Sequence, residues 1–154
     1  MQYPIFDLFQ PVGMISMERI GLYYAYQAQI KTRRAGFLRL YSHTEEDSCR
    51  LGLFREEQGR LFCEGRISVR TCPNPENAFY SLSETPWRTC EMDAMPNGSL
   101  SRAITDGREV IVPLLDALQT ELVPYFCFLR KVIVEDIPCL SIFLDKQVRP
   151  FFCD

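Results

Sequence analysis

The segment Ile20-Gly21-Leu22-Tyr23-Tyr24-Ala25-Tyr26-Gln27 decides the fold. Taken two by two, it sets Ile20, Leu22, Tyr24 and Tyr26 on one side and Gly21, Tyr23, Ala25 and Gln27 on the other. Period two with aromatic enrichment marks a strand, because successive side chains alternate across a pleated backbone. The pattern returns further along. Leu38 and Leu40 oppose Phe37, Arg39 and Tyr41 within Ala35–Ser42. Cys49, Leu51 and Leu53 oppose Arg50, Gly52 and Phe54. Near the end, Leu140, Ile142 and Leu144 oppose Ser141 and Phe143.

Turn chemistry separates these runs. Glu56-Glu57-Gln58-Gly59 reads as a hairpin turn, since glycine takes the positive φ that tight hairpins demand. Arg60–Glu64 and Arg66–Thr71 read as strand, with Gly65 marking a bulge or bend. Ala78–Leu82 is a further short strand, and the sheet so defined covers about residues 20–82 as an antiparallel meander. Before it, residues 1–17 mix Pro4, Pro11 and Gly13 with apolar side chains and read as an irregular arm. After it, residues 83–107 read as a long loop. Leu114, Leu115, Leu118 and Leu122 repeat at helical spacing after Pro113, which predicts a helix near 113–123 ended by Pro124. That helix and a C-terminal hairpin fill about 113–153. No composition shift marks a linker, so residues 1–154 are read as one domain. The expected fold class is α+β: a mostly antiparallel, curled sheet or partly open small barrel with the single helix packed on it.

Composition excludes more than it identifies. At 47% hydrophobic and 24% charged residues, the 154-residue chain can offset its ordering entropy. Its net charge of −3 argues against a surface that coats nucleic acid over its whole extent. The charge is uneven: Lys31–Arg70 holds nine basic and six acidic residues, Thr71–Asp154 seven and twelve. Met1–Gln10 carries Asp7 and no basic start, so no export signal is expected, and no run of apolar residues reaches membrane-spanning length. Seven cysteines is an odd count. With no export signal, that favours reduced thiols and a cytoplasmic setting.

Catalytic signatures are sparse. His43 is the one histidine and precedes the acidic run Glu45-Glu46-Asp47, where a solvated loop position is expected. No Cys-x-x-Cys spacing points to a metal or a redox dithiol, and the glycines do not cluster into a phosphate cradle. No cofactor is expected. Trp87, the one tryptophan, stands between Pro86 and Arg88 in the long loop, the composition of an interaction hot spot. Phe37, Arg39 and Tyr41, with Arg50 and Phe54, give the strands a basic, aromatic face of the kind small barrels use to bind single strands.

The residues so read point first to a non-catalytic protein-interaction or structural module, meeting another protein or a second copy through Pro86, Trp87 and Arg88 or a sheet edge. A single-stranded nucleic-acid binder using Phe37, Arg39, Tyr41, Arg50 and Phe54 is the alternative. An enzyme with a cysteine nucleophile and His43 as base comes last.

Overall fold

The computed structural model describes residues 1–45, 47–92, 95–96, 98–114 and 127–152. It divides into two compact units, Met1–Pro86 and Trp87–Asp154. The boundary lies inside the stretch expected to be loop, where no composition shift announces it.

The first unit is an eight-stranded mixed sheet. In chain order its strands are β1 (Gln2–Asp7), β2 (Gln10–Ile20), β3 (Tyr23–Ile30), β4 (Arg39–His43), β5 (Ser48–Leu53), β6 (Arg55–Glu57), β7 (Arg60–Ser68) and β8 (Phe79–Ser81). In space they run β5-β4-β8-β1-β2-β3-β7-β6. β1 and β8 pair in parallel, while the other ladders described in this sheet are antiparallel. The simple meander expected over 20–82 is therefore corrected. β8 inserts between β4 and β1, and the N-terminal residues complete the sheet.

Residues 1–17, expected as an irregular arm, form β1 and most of β2. Pro4 and Pro11 mask an alternation that puts Ile5, Ile15 and Met17 in the core. Gly13, which looks like a breaker, is needed for packing: a Cβ there would run into the Gln29 carbonyl and Ile30. The run Ile20–Tyr26 is not one strand either. Gly21 and Leu22 make the two-residue turn between β2 and β3, with Gly21 at φ 61°. Ile20 and Leu22 are consequently exposed, whereas Tyr24, Tyr26, Ala28 and Ile30 carry the inward face. The strand expected over Ala35–Ser42 shortens to Arg39–His43. The turn at Gln58-Gly59 forms as the sequence predicts, both residues at positive φ.

The sheet curls until its two ends meet, and one stretch of chain serves both ends. β5 pairs with β4 at one end of the order, and after Phe54 the chain continues as β6, which pairs with β7 at the other. Phe54 lies buried at this junction, and its amide donates to the Leu38 carbonyl at 2.8 Å. Tyr26 on β3 bridges the seam from inside: its hydroxyl donates to the Leu51 carbonyl on β5 at 2.7 Å. Two glycines make room for that reach. A Cβ on Gly65 of β7 would stand 2.7 Å from the Tyr26 hydroxyl, and one on Gly52 of β5 would stand 3.1 Å from it. Gly65 is thus no bulge. It pairs in regular register with Tyr26, and its missing side chain is what the ring occupies.

The second unit contains β9 (Arg88–Thr89), β10 (Leu100–Ile104), β11 (Gly107–Pro113), β12 (Arg130–Val134), β13 (Ile137–Asp145) and β14 (Pro150–Phe151). These form an antiparallel sheet ordered β12-β13-β11-β10-β9, with β14 also paired to β13. Two of the strands, β9 and β10, lie in the stretch expected as loop. Val110, Val112, Ile142 and Leu144 cluster with Met95 on one side of it. Asp145 Oδ1 accepts the N–H groups of Gln147 and Arg149 across the turn after β13, which holds its carboxyl below the ordinary range.

The helix expected near 113–123 falls largely on residues 115–126, outside the described residues. Pro113 ends β11 and Leu114 lies in a turn. Among the described residues there is no α-helix, so the α+β class reduces to its β part: a mostly-β chain whose larger sheet is nearly closed and barrel-like.

The seam gives a direct test. Tyr26→Phe removes a buried hydrogen bond and should cost about 1 kcal/mol in urea unfolding followed by circular dichroism. Gly65→Ala should cost roughly 1–3 kcal/mol, because the added methyl meets the tyrosine ring. Unchanged midpoints in both variants would show that the seam is not held this way.

Candidate functional site

The outer face of the β4–β5 pair gathers most of the polar and aromatic groups that the sequence singles out. On β4, Arg39, Tyr41 and His43 alternate outward, while Leu40 and Ser42 are buried on the inner side. On β5 the alternation is broken by a register shift. Leu40 pairs with Gly52 but Tyr41 with Arg50, which leaves Leu51 as an extra residue. This bulge sets Arg50 and Leu53, three positions apart, on the same face. It also turns Leu53 outward and Phe54 inward, the reverse of the sequence alternation.

A groove of about 510 Å³ follows, lined by Phe37, Arg39, Arg50, Leu51, Gly52 and Leu53. Phe37 is 84% exposed and Leu53 50%. The left-handed backbone of Gly36, at φ 99°, immediately precedes Phe37. Two arginines of this unit are engaged by carboxylates, Arg34 with Asp7 at 2.7 Å and Arg55 with Glu57 and Glu64 at 2.8 and 2.9 Å, whereas Arg33, Arg60, Arg66 and Arg70 enter no ion pair among the described residues. Among the described residues, Arg39 and Arg50 enter no ion pair. Of the aromatic face expected from the sequence, Phe37 alone presents an open ring. Tyr41 is half-buried and stacks on His43, with centroids 6.2 Å apart, and Phe54 belongs to the core.

About 13 Å along the same strand from Arg39, four residues at the usual rise, lies His43. Here the solvated-loop expectation is corrected. His43 ends β4 and is fully buried. Its Nδ1 lies 2.7 Å from the hydroxyl of Ser48, and its Nε2 lies 2.9 Å from both the Ser81 hydroxyl and the Ser83 carbonyl. A carbonyl only accepts, so Nε2 carries the proton. In the neutral ring Nδ1 is then an acceptor, and the Ser48 hydroxyl donates to it. Ser81 donates onward to the Ser83 carbonyl at 3.0 Å. Tyr41 and Phe79 flank the imidazole. The signal for this placement was present in the sequence as the alternation Arg39, Tyr41, His43, which simply runs one residue past the expected end of the strand.

Trp87 is 5% exposed, with the Arg102 guanidinium 5.2 Å over its ring. Arg102 in turn pairs with the buried Glu109 at 2.7 Å, and the Ser141 hydroxyl donates to the same carboxylate at 2.8 Å. Of its neighbours, Pro86 is exposed and Arg88 half-buried, with its Nη2 buried and without a hydrogen-bond partner. Trp87 therefore offers little free surface, whereas Phe37 is largely open.

Burial pushes the thiols of Cys63, Cys72 and Cys139 up from their ordinary range, which lowers their thiolate fraction and their nucleophilicity. No cluster of three or more His, Cys, Asp or Glu residues suited to a metal occurs among the described residues. Nor is any helix among them long and apolar enough to cross a membrane.

The thiols make a prediction with a defined sign. Iodoacetamide at pH 8 should modify the exposed Cys127 at least about tenfold faster than Cys63, Cys72 or Cys139, because a raised pKa leaves less thiolate at that pH. Peptide mapping by mass spectrometry reads the order, and equal rates at all four would contradict the burial of the three. No protein-family model matches the chain, and neither a curated protein nor a solved structure matches it.

Proposed function

We propose that the chain is a protein-interaction module whose contact surface is the outer groove of β4–β5. The observation that carries this reading is the pairing of an 84%-exposed Phe37 with two arginines, Arg39 and Arg50, that no described carboxylate neutralises. An exposed aromatic beside Leu53 supplies apolar area, and unpaired guanidinium groups supply fixed donors for carboxylates. The partner such a surface suits is an extended acidic segment with a large apolar side chain. The apolar side chain would cover Phe37 and Leu53, and the flanking carboxylates would meet the arginines. Nothing in this reading requires the groove to do chemistry.

A single nucleic-acid strand is the other anion that arginines and an aromatic face could take. Successive bases need successive stacking platforms, and two of the three rings expected for that role are withdrawn, Tyr41 against His43 and Phe54 into the core. That favours the peptide.

Fluorescence anisotropy separates the two. A labelled peptide of alternating glutamate and leucine with one central phenylalanine should bind the folded chain at low salt. Phe37→Ala and Arg50→Glu should each weaken it by about tenfold or more, since hot-spot losses exceed 1 kcal/mol. Binding of a mixed-sequence oligonucleotide with steep salt dependence, and none of the peptide, would replace this reading by the nucleic-acid one. Binding of neither would remove the groove as a contact site.

A further inference from the structure

The Ser48–His43 pair goes beyond a contact surface and does not rest on the groove being one. Ser48 is exposed, yet its hydroxyl is hydrogen-bonded at 2.7 Å to a ring that is fully buried. The ring cannot turn freely: Tyr41 and Phe79 flank it, and Nε2 is anchored to the Ser83 carbonyl and the Ser81 hydroxyl. That anchor fixes the tautomer whose Nδ1 faces the serine with a lone pair. A nucleophile, a base within hydrogen-bond reach and a third group orienting the base are the elements that activate a serine.

We infer that Ser48 is a reactive serine that accepts an acyl group from activated acyl donors, thioesters or aryl esters, with His43 as its general base. As Ser48 Oγ bonds to the acyl carbon, its proton passes to His43 Nδ1 and the carbonyl pair moves onto oxygen. The pair then returns, the bond to the leaving group breaks, and the imidazolium proton goes to the departing thiolate or phenolate or to water. An ester of Ser48 and a free thiol or phenol result, with no change of oxidation state. Both anchors of Nε2 accept hydrogen bonds, so they hold the imidazolium as well as the neutral ring.

The surroundings also set the substrate class. The N–H of Ser48 itself donates to Asp47 Oδ1 at 2.8 Å, so it is not offered to a developing oxyanion. Without that donor, attack depends on the leaving group, which selects activated acyl donors over ordinary amides and alkyl esters. The Asp47 carboxylate places a negative charge beside the serine and disfavours anionic acyl groups.

The test uses p-nitrophenyl acetate on the full chain, with intact-mass detection and peptide mapping. Acetylation should fall on Ser48, disappear in Ser48→Ala, and slow about 100-fold in His43→Gln, the usual scale of a general-base contribution. His43 is buried, so that variant can fail to fold. The pH profile of the native chain therefore supplies a second readout. With a histidine base the rate rises as the ring loses its proton and then levels off. A rate that instead climbs tenfold per pH unit up to pH 9 is that of an ordinary serine and overturns the proposal. So does acetylation that persists elsewhere at the same rate in Ser48→Ala, or none at Ser48 at all.

Discussion

The barrel-like sheet depends on one side chain crossing one gap. Tyr26 leaves β3, passes over Gly65 on β7 and donates its hydroxyl to the Leu51 carbonyl on β5. An open curled sheet would leave its end strands, β5 and the short β6, with exposed edges, each a template for pairing with another chain. Here the chain itself spans from one edge to the other through Phe54, and the tyrosine fills the space behind that crossing. Burial raises the Tyr26 hydroxyl well above its ordinary range, which favours the protonated, donating form.

The same closure shapes the outer surface. The Leu51 carbonyl that accepts the tyrosine belongs to the bulged residue of β5. The bulge is what places Arg50 and Leu53 together opposite Tyr41 and Arg39. Without it, strict alternation would send one of them inward. The interior hydrogen bond and the exterior groove are therefore two sides of one local irregularity. At the other end of the pair, regular alternation resumes with His43 opposite Ser48. In that way a binding surface and a serine–histidine pair come to share one strip of sheet. Bulges commonly re-aim side chains next to functional positions, and this one acts on both faces at once.

Some of this was legible in the residues. The inward set Tyr24, Tyr26, Leu38 and Leu40 follows from period two alone, as does the exposure of Phe37. The hairpin at Gln58-Gly59 follows from glycine. Other features were hidden for identifiable reasons. Pro4, Pro11 and Gly13 look like breakers, but proline tolerates strand ends and irregular registers, and Gly13 answers a close approach from β3 that no local pattern encodes. Gly65 looks like a bulge for the same reason, while the true bulge sits at Leu51, where nothing local marks it. His43 looked solvated because it adjoins three acidic residues. Its burial comes from Phe79, Ser81 and Ser83, about forty positions away in the chain. Trp87 looked like a loop contact, whereas Arg102 on β10 covers it.

By itself the sequence determined the mostly-β character, because alternation and turn chemistry act over a few residues and need no distant partner. Tertiary structure alone decided the strand order, the seam and the site. The parallel pairing of β8 with β1, the passage of Tyr26 over Gly65, and the meeting of His43 with Ser81 and Ser83 all join segments far apart in the chain. Such contacts are selected by which packing buries the most apolar surface while leaving the polar groups paired, and that is a property of the whole sheet.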